Sequence, residues 1–497
     1  MSGARALRRG AATLLAGHGG GQILGLLRNL AVARLIAPED FGVAAAMAAL
    51  LSLLEAASDM AWDKLLIQAR DGDDPALMAT IHALNLMRGA ALAVLLVAAS
   101  NPLAALFGVA EAAGAFAWLA LVPLLRGAVH MDLKRAQRGL AFGPEAKATL
   151  ASHLAGLVVA VWLAWALGDY RAMLWGLVAQ SAALALASRA LAERPYRFGL
   201  SATRLRQVFA FGWPLLLSGL VVVASAQGDR LLIGAGLGMR DLAIFAAAAM
   251  LIGAPGLLTT RIAGALGLPW LSAVQDRAGA FAARCRMFGA AMSIAAILIF
   301  TPLALLGSDA TALIFGAAYA PPPMLAGWLA AGLAMRFLRG WPVTVSLARG
   351  DAKNVLIANA LRLTGLAAAA AVLAGGGGVV EVAAVVAAAE ALALIAAFRR
   401  MGRTGVSAAL ALPTCCALTL AAALIWLHVA GPEATLAAKL TATFILTLVG
   451  GAVAALAAPD LSQRLLRQRA ATEADAAADG AADGAADGAA DGAARSS

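Results

Sequence analysis

The sequence predicts an all-α, polytopic membrane protein with about fourteen transmembrane helices. First, 62% of the 497 residues are hydrophobic and only 13% are charged, too few to cover the surface of a soluble protein of this size. Second, mostly apolar runs of about 20 residues, the length that crosses a bilayer, recur along the chain. Third, Lys and Arg gather in alternate connections between these runs, as the positive-inside rule requires.

The apolar runs place the crossings in chain order. The clearest runs, 287–308 and 440–459, contain no charged residue, whereas the first, second, fourth and tenth crossings carry charges within them. The predicted crossings are 11–36, 42–60, 79–100, 112–131, 148–168, 172–191, 209–228, 241–266, 287–307, 323–346, 354–374, 377–398, 406–429 and 436–457.

The longest polar connection, rich in Arg, follows the sixth crossing and divides the chain into two halves. No connection between crossings, this one included, is long enough for a separate soluble domain. The C-terminal tail repeats Ala-Ala-Asp-Gly and has no apolar face to bury, so it is expected to be disordered. The predicted organisation is an N-terminal lobe of six helices over 1–192, a cytoplasmic linker over 193–208, a C-terminal lobe of six helices over 209–400, helices 13 and 14 over 401–460, and a tail over 461–497.

The distribution of positive charge predicts the orientation in the membrane. Most Lys and Arg residues lie in the connections that share a side with both chain ends, and the opposite side holds Arg171, Arg230, Arg240 and Lys439. Both termini are therefore predicted to be cytoplasmic. The net charge of +10 reflects this orientation and does not indicate a nucleic-acid partner.

A weak internal repeat relates the two halves. The segment around Asp40, after the first crossing, is similar to the segment around Asp241, after the seventh crossing. Both segments lie at the outer end of the first helix of a lobe and have the same orientation. The sequence therefore predicts a parallel repeat, as in transporters built from two similar lobes.

Several arginines fall within the predicted crossings, where a charge costs about 2.5–3.5 kcal/mol near a helix centre. Arg34 and Arg362 are expected to reach an interface with their long side chains. The deeper candidates for substrate binding are Arg28, Arg88, Arg126, Arg261, Arg336 and Arg339. The alternative interpretation is that these arginines pair with carboxylates or carbonyls and only lock the helices together.

Carboxylates at the same depth are fewer: Glu55 and Asp59 on the second helix, Asp229 at the end of the seventh, and Glu390 on the twelfth. A cavity in which arginine exceeds carboxylate favours an anion, most naturally a phosphate or pyrophosphate. Asp59, Asp229 and Glu390 are candidates for a coupling or a salt-bridge role.

No pattern in the sequence indicates an enzyme, a metal or a cofactor. The three cysteines have no CxxC spacing or accompanying His pair, so neither a disulfide framework nor a zinc site is predicted. The chain contains no hydrolase triad, nucleotide-binding loop or HExxH motif. A membrane glycosyltransferase or ligase remains an alternative of another class, although it usually needs acidic metal ligands or a large outer loop.

Several segments resemble the bacterial polysaccharide transporters, which are oligosaccharide flippases of the multidrug/oligosaccharidyl-lipid/polysaccharide exporter superfamily. The resemblance covers the first twelve helices and fades after about residue 400. The matching segments are Arg28-Asn29-Leu30, Ala33-Arg34-Leu35-Ile36, Pro38-Glu39-Asp40-Phe41-Gly42, Asp59, Leu65-Leu66-Ile67-Gln68, Phe211-Gly212-Trp213-Pro214, Gly228-Asp229-Arg230 with Ile233-Gly234 and Leu237-Gly238, and Leu268-Pro269-Trp270-Leu271-Ser272.

The resemblance implies a V-shaped bundle of two six-helix lobes with two extra helices. It implies a flippase that moves a polyprenyl-pyrophosphate-linked oligosaccharide across the bacterial inner membrane for cell-surface or exopolysaccharide biosynthesis. The expected partners are that lipid-linked substrate, membrane lipids, a polysaccharide polymerase and glycosyltransferases. A multidrug exporter and an exporter of the peptidoglycan precursor, both of the same superfamily, remain alternatives.

Overall fold

The computed structural model of the chain describes residues 2–403, 411–430 and 434–456, and all regular structure in these ranges is helical, as the sequence predicts. The first half contains α1 (Ser2–Ala33), α2 (Pro38–Ala56), α3 (Trp62–Gln68), α4 (Pro75–Leu106), α5 (Ala113–Trp118), α6 (Leu121–Gly127), α7 (Asp132–Ala136), α8 (Gly143–Leu167) and α9 (Arg171–Ala190). The second half contains α10 (Ala202–Leu237), α11 (Met239–Ser272), α12 (Ala278–Phe315), α13 (Pro323–Ala348), α14 (Lys353–Ala374), α15 (Val379–Gly402), α16 (Ala411–Ala430) and α17 (Leu436–Leu456). The predicted disordered tail, 461–497, lies outside the described residues.

Ten helical segments in the described ranges are long and apolar enough to cross a membrane. They belong to α4, the broken segment Ala110–Gly127 that includes α5 and α6, α8, α10, α11, α12, α14, α15, α16 and α17. The other long helices, α1, α2, α9 and α13, contain 19 to 32 residues each. The chain is therefore a multi-pass membrane protein, and the count of about fourteen crossings stays a prediction.

Several predicted helix ends differ from the structure, and two of the differences change the position of charged residues. The second crossing was expected to reach residue 60, but α2 ends at Ala56, and Asp59 lies in the connection that follows it. The seventh crossing was expected to end at residue 228, but α10 continues to Leu237, so Asp229 and Arg230 lie inside the helix. Arg230 is thus not in an outer connection. A crossing predicted from hydropathy ends at the first charged residue. The helix itself can continue past that residue when the charged side chain finds a polar partner within the bundle.

The two segments of the predicted repeat meet in the structure. Helices α2 and α11 begin at Pro38 and Met239 and pack against each other. Glu39 and Arg240, which are 201 residues apart, pair across this contact at 3.4 Å. Gly42 is needed for the close approach, because an added Cβ would lie 1.9 Å from the carbonyl oxygen of Met239. Equivalent helix starts therefore form part of the contact between the two halves.

The connection between the halves is held against the first half. The side chain of His82 stacks on Tyr196 with ring centroids 4.1 Å apart, and its Nδ1 lies 3.2 Å from the carbonyl oxygen of Arg197. The Asp132 carboxylate accepts hydrogen bonds from the backbone N–H groups of Glu193 at 2.8 Å and Arg194 at 3.3 Å. These contacts give residues 193–197 a defined position.

Helix α10 begins at Ala202, so residues 202–208 of the predicted linker are helical. Arg204, in its first turn, forms ion pairs with Asp71 and Asp74 of the connection before α4. Gln207 adds hydrogen bonds to Asp71 at 3.1 and 3.3 Å. This end of α10 is thus tied to the first half by charge as well as by the preceding connection.

Asp132 is expected to make the attachment of the linker sensitive to acid. Burial alone would raise the pKa of its carboxyl, but hydrogen bonds from Arg135 and the backbone of Glu193 hold the pKa below its usual value. A lowered folded-state pKa stabilises the structure above the unfolded value of about 3.9, and this contribution is lost as the pH falls through the folded value. Protection of the linker amides from hydrogen exchange should stay constant from pH 7 to about 5 and disappear below about pH 4.

The measurement is hydrogen exchange of residues 193–197 followed by mass spectrometry and corrected for the intrinsic effect of pH. Asp132→Asn should reduce protection at every pH, whereas Asp276→Asn, the same change at an exposed carboxylate, should not. Protection that is already lost at about pH 6, near the ordinary pKa of histidine, would contradict the role of Asp132.

Helices α16 and α17 pack against α12. The ammonium group of Lys439 on α17 donates to both carboxylate oxygens of Asp309 on α12, at 2.9 and 2.8 Å. The Lys439 side chain is only 9% exposed, so it does not lie free in an outer connection as the sequence predicted. The small alanine side chains at the start of α17 leave space for Lys439 to extend towards α12.

Lys439→Met should weaken the docking of α17 by about 1–3 kcal/mol, because it removes the charged partner of Asp309 but keeps an apolar stem. Faster hydrogen exchange across α17 is the expected result. The matched control is Lys353→Met at an exposed lysine, which should leave α17 unchanged. Equal exchange in the Lys439 variant and the wild type would show that the ion pair does not hold the helix.

Candidate functional site

Arg28 is the candidate residue whose charge is least compensated. Its Nη1 donates to Oε1 of Gln180 on α9 at 2.7 Å, and its Nε lies 3.4 Å from Oδ1 of Asn29. The Arg126 guanidinium on α6 is close enough to act on it electrostatically. Within the described residues no carboxylate forms an ion pair with Arg28. The side chain is only partly buried, so its positive charge remains available to an anion.

The other two candidates in the first half are paired. Arg126 forms an ion pair with Glu55 on α2. Arg88 on α4 lies 3.7 Å from Asp59, and its guanidinium carbon lies 5.8 Å from the ring centroid of Trp62. The Asp59 side chain is 60% exposed, so its pairing with Arg88 is weakened by solvent.

Glu390 on α15 is the centre of a second cluster. Its Oε1 accepts hydrogen bonds from Nε of Arg336 on α13 at 2.8 Å and from Nε of Arg362 on α14 at 2.7 Å. Nε of Arg339 lies 3.8 Å from Oε2. The Glu390 side chain is 3% exposed and that of Arg336 is 35% exposed. Three arginines from two helices therefore converge on one buried carboxylate, and Arg336 is the most accessible of them.

The cluster is incompletely satisfied. Glu390 Oε2 and Arg339 Nε are both buried without a hydrogen-bond partner. Arg339 also donates to Oδ1 of Asn359 at 3.1 Å, and none of the described contacts places one guanidinium on both carboxylate oxygens. Each guanidinium has five N–H donors and prefers a two-pronged contact with an oxyanion. The cluster therefore keeps donors that a phosphate can engage.

Helix α10 adds Asp229 and Arg230 to this region. Arg230 Nη1 donates to Oε1 of Gln227 at 2.8 Å, while Asp229 accepts the backbone N–H of Arg230 at 2.8 Å. The carboxylate of Asp229 also acts electrostatically on Arg336 and Arg362. With these two residues the second cluster holds more arginines than carboxylates.

The structure divides the predicted site residues into two clusters, one in each half. The Arg28 cluster contains Arg28, Arg88 and Arg126 with Glu55 and Asp59, and the Glu390 cluster contains Arg230, Arg336, Arg339 and Arg362 with Asp229 and Glu390. No described hydrogen bond or ion pair between side chains joins the two clusters. The side chain of Arg261 lies outside the described part of the chain. Arg362 was expected at an interface but is 6% exposed within the second cluster, since Glu390 offers it a partner there.

Sequence reasoning missed the neutral amides that hold these arginines: Gln180, Gln227 and Asn359. A signal was present, because an amide inside an apolar crossing also needs a hydrogen-bond partner. The sequence does not indicate which arginine donates a hydrogen bond to each amide.

What the arrangement can do chemically is hold an anion between helices of the bundle. Both clusters carry more positive than negative charge, and each leaves guanidinium donors free. The described residues contain no group of three or more His, Cys, Asp or Glu side chains placed to hold a metal ion. The prediction of no metal or cofactor stays untested by this finding.

Comparisons with known proteins identify the family and the fold. A family model described as "polysaccharide biosynthesis protein" matches residues 31–322, and comparison with curated proteins yields no significant match. The structure is similar to that of the lipid II flippase MurJ in an inward closed conformation, with a TM-score of 0.63, 12% identity and coverage of 91% of this chain and 99% of the other.

Weaker likenesses extend to two MATE transporters. One is an inward-facing multidrug resistance transporter, with a TM-score of 0.49, 17% identity and coverage of 78% and 95% of the two chains. The other is a mutant of Vibrio cholerae VcmN, with a TM-score of 0.47, 14% identity and coverage of 80% and 96%. The likeness to MurJ shows that the two proteins share a fold.

Proposed function

Because the chain belongs to the polysaccharide biosynthesis protein family, we propose that it is a flippase for polyprenyl-pyrophosphate-linked oligosaccharides destined for a cell-surface or exported polysaccharide. The observation that carries the proposal is the excess of arginine over carboxylate in two clusters between helices of the bundle. Pyrophosphate is the part of such a substrate that these arginines would recognise.

Arg28 and Arg336 are the first contacts for the pyrophosphate in this proposal. Arg28 has no carboxylate partner among the described residues, and Arg336 is the most exposed arginine of the Glu390 cluster. Glu390 and Asp59 act as ion-pair partners that keep the remaining arginines in place. Arg88, Arg126 and Arg339 then contribute positive charge to the cavity rather than the main hydrogen bonds, and Arg261 stays a candidate from the sequence alone.

In the proposed transport cycle the two halves of the protein move relative to each other. Residues 1–192 and 209–400 form two lobes, joined by the cytoplasmic linker, and rocking of the lobes about the contact of α2 with α11 exposes the cavity to one side and then the other. The sugars and pyrophosphate travel through the polar interior, while the polyprenyl tail stays in the bilayer. No covalent step is involved, so the protein is not an enzyme.

The proposed location is the bacterial inner membrane, with both termini in the cytoplasm. There the substrate is built on the cytoplasmic leaflet and used on the other side. Glycosyltransferases that build the glycan and a polymerase that consumes it are the expected partners.

Two rivals use the same fold. A multidrug exporter for organic cations needs carboxylates in its pocket, and the arginine excess opposes it. An exporter of the peptidoglycan precursor needs the same pyrophosphate contact, and the fold of the lipid II flippase MurJ is consistent with it. A membrane glycosyltransferase or ligase would need a catalytic constellation that the sequence does not contain.

The test is leaflet exposure of fluorescent lipids in vesicles that contain the purified protein. Three lipids are compared with protein-free vesicles: an undecaprenyl-pyrophosphate-linked oligosaccharide, the same oligosaccharide on undecaprenyl monophosphate, and the peptidoglycan precursor. Uptake of a cationic dye is measured in parallel.

Translocation of the first lipid alone, or of the first much faster than the others, supports the proposal. Faster movement of the peptidoglycan precursor would favour the precursor exporter, and dye transport without lipid movement would favour the multidrug exporter. Formation of a new glycosidic bond would point to the glycosyltransferase or ligase.

A further inference from the structure

Three polar side chains from three helices form a chain that ends at Arg28. The Gln180 carbonyl oxygen on α9 accepts from Arg28 Nη1 at 2.7 Å, and the amide nitrogen of Gln180 lies 3.4 and 3.5 Å from the two ring nitrogens of His153 on α8. The amide nitrogen of Gln180 thus faces the imidazole of His153, and its oxygen faces Arg28. Gln180 on α9 therefore lies between Arg28 on α1 and His153 on α8.

Small residues make this convergence possible. An added Cβ at Gly21 on α1 would lie 2.8 Å from Cδ2 of His153, so the glycine lets the imidazole lie against α1. An added Cβ at Gly156 on α8 would lie 2.9 Å from Cβ of Gln180. Both contacts are shorter than real Cβ atoms tolerate, and the packing of the three helices thus fixes the position of the Gln180 side chain.

Because Gln180 is neutral, its contact leaves the positive charge of Arg28 uncompensated. Arg126 is paired with Glu55, and Arg88 lies beside Asp59, so each of these arginines has a neighbouring negative charge. Arg28 is held by an amide instead, next to the repelling charge of Arg126. A carboxylate in place of the amide would make the same contact with Arg28 but would neutralise it.

We propose that Gln180 is a positioning residue that holds the Arg28 guanidinium beside Arg126 without neutralising it, and thereby gives the first half of the protein its affinity for pyrophosphate. This inference rests on the proposed function, since it concerns how the same substrate is recognised. The imidazole of His153 packs behind Gln180, on the side of its amide nitrogen.

The experiment measures binding of three ligands with the same prenyl chain, farnesyl pyrophosphate, farnesyl phosphate and farnesol, to the full-length protein in nanodiscs. The variants are Gln180→Glu, which keeps the shape but adds a negative charge, and Gln180→Met, which removes the hydrogen bonds without adding charge. Gln275→Glu, at an exposed glutamine, is the matched control for an added carboxylate.

Gln180→Glu should weaken binding of farnesyl pyrophosphate about tenfold or more, the size of one charge-assisted hydrogen bond, and leave farnesol binding unchanged. Gln180→Met should weaken farnesyl pyrophosphate binding by a smaller factor, and Gln275→Glu should match the wild type. A purely structural role would reduce binding of all three ligands equally, because it does not depend on the charge of the headgroup.

Unchanged binding of farnesyl pyrophosphate by Gln180→Glu overturns the role of Gln180 while the proposed function stands. An equal loss for farnesol and for the pyrophosphate overturns it as well. A wild type that neither prefers the pyrophosphate over farnesol nor translocates the lipid-linked oligosaccharide overturns the proposed function, and this inference with it.

Discussion

Replacing Glu390 with Gln is expected to lower the free energy of unfolding by about 3–5 kcal/mol, because it leaves buried arginines without their only described carboxylate contact. Oε1 of Glu390 accepts from both Arg336 and Arg362, and the Arg362 side chain is 6% exposed. An amide can accept one of these hydrogen bonds but supplies no negative charge. The measurement is chemical or thermal unfolding of the purified protein in nanodiscs.

Glu381→Gln is the matched control, since it makes the same change at an exposed carboxylate on the same helix. It should cost well under about 1 kcal/mol. Combining Glu390→Gln with Arg362→Gln should recover part of the lost stability, because the second change removes a charge that the first left unpaired. A loss with Glu390→Gln no larger than that of the control would show that the cluster does not stabilise the bundle.

Replacing Arg28 with Gln is expected to reduce translocation of the lipid-linked oligosaccharide at least about tenfold while the protein stays folded. The reason is that Arg28 neutralises no described carboxylate, so its removal strands no buried negative charge. Gln180 can still pair with the new amide. The leaflet-exposure assay gives the rate, and the unfolding midpoint gives the stability.

The matched control for this change is Arg171→Gln, whose side chain is 54% exposed and pairs with Asp169. It should translocate like the wild type. If Arg28→Gln also translocates at the wild-type rate, the arginines of the first half serve to lock the helices and do not meet the substrate. Loss of folding in Arg28→Gln would contradict the statement that its charge is uncompensated.

Much of the fold could be predicted because membrane crossings are local. The length and hydropathy of α12, α14, α15 and α17 are properties of continuous segments, and the bilayer requires about 20 apolar residues wherever a helix crosses it. Residues 40 and 241, which the repeat places at equivalent positions, lie near the starts of helices that meet. The family was also visible in the sequence, because its motifs are continuous segments of the chain.

The partners of charged residues could not be predicted in the same way. Lys439 and Arg230 were expected outside the bundle because each lies near a predicted end of an apolar run, and Arg362 was expected to reach an interface with its long side chain. The structure places Lys439 on Asp309 and Arg362 on Glu390, residues 130 and 28 positions away in the chain. Such pairs depend on which helices are neighbours, and hydropathy carries no such information.

The sequence by itself therefore determined the helical class, the membrane as solvent, the family and the surplus of arginine over carboxylate in the predicted crossings. Only the tertiary structure decided which arginines are neutralised: it placed Glu55 beside Arg126 and gathered three arginines around Glu390, but it gave Arg28 the amide of Gln180, 152 residues away. The physical reason is that composition sums charge along the chain, whereas neutralisation requires two opposite charges within a few ångströms, which only helix packing brings about.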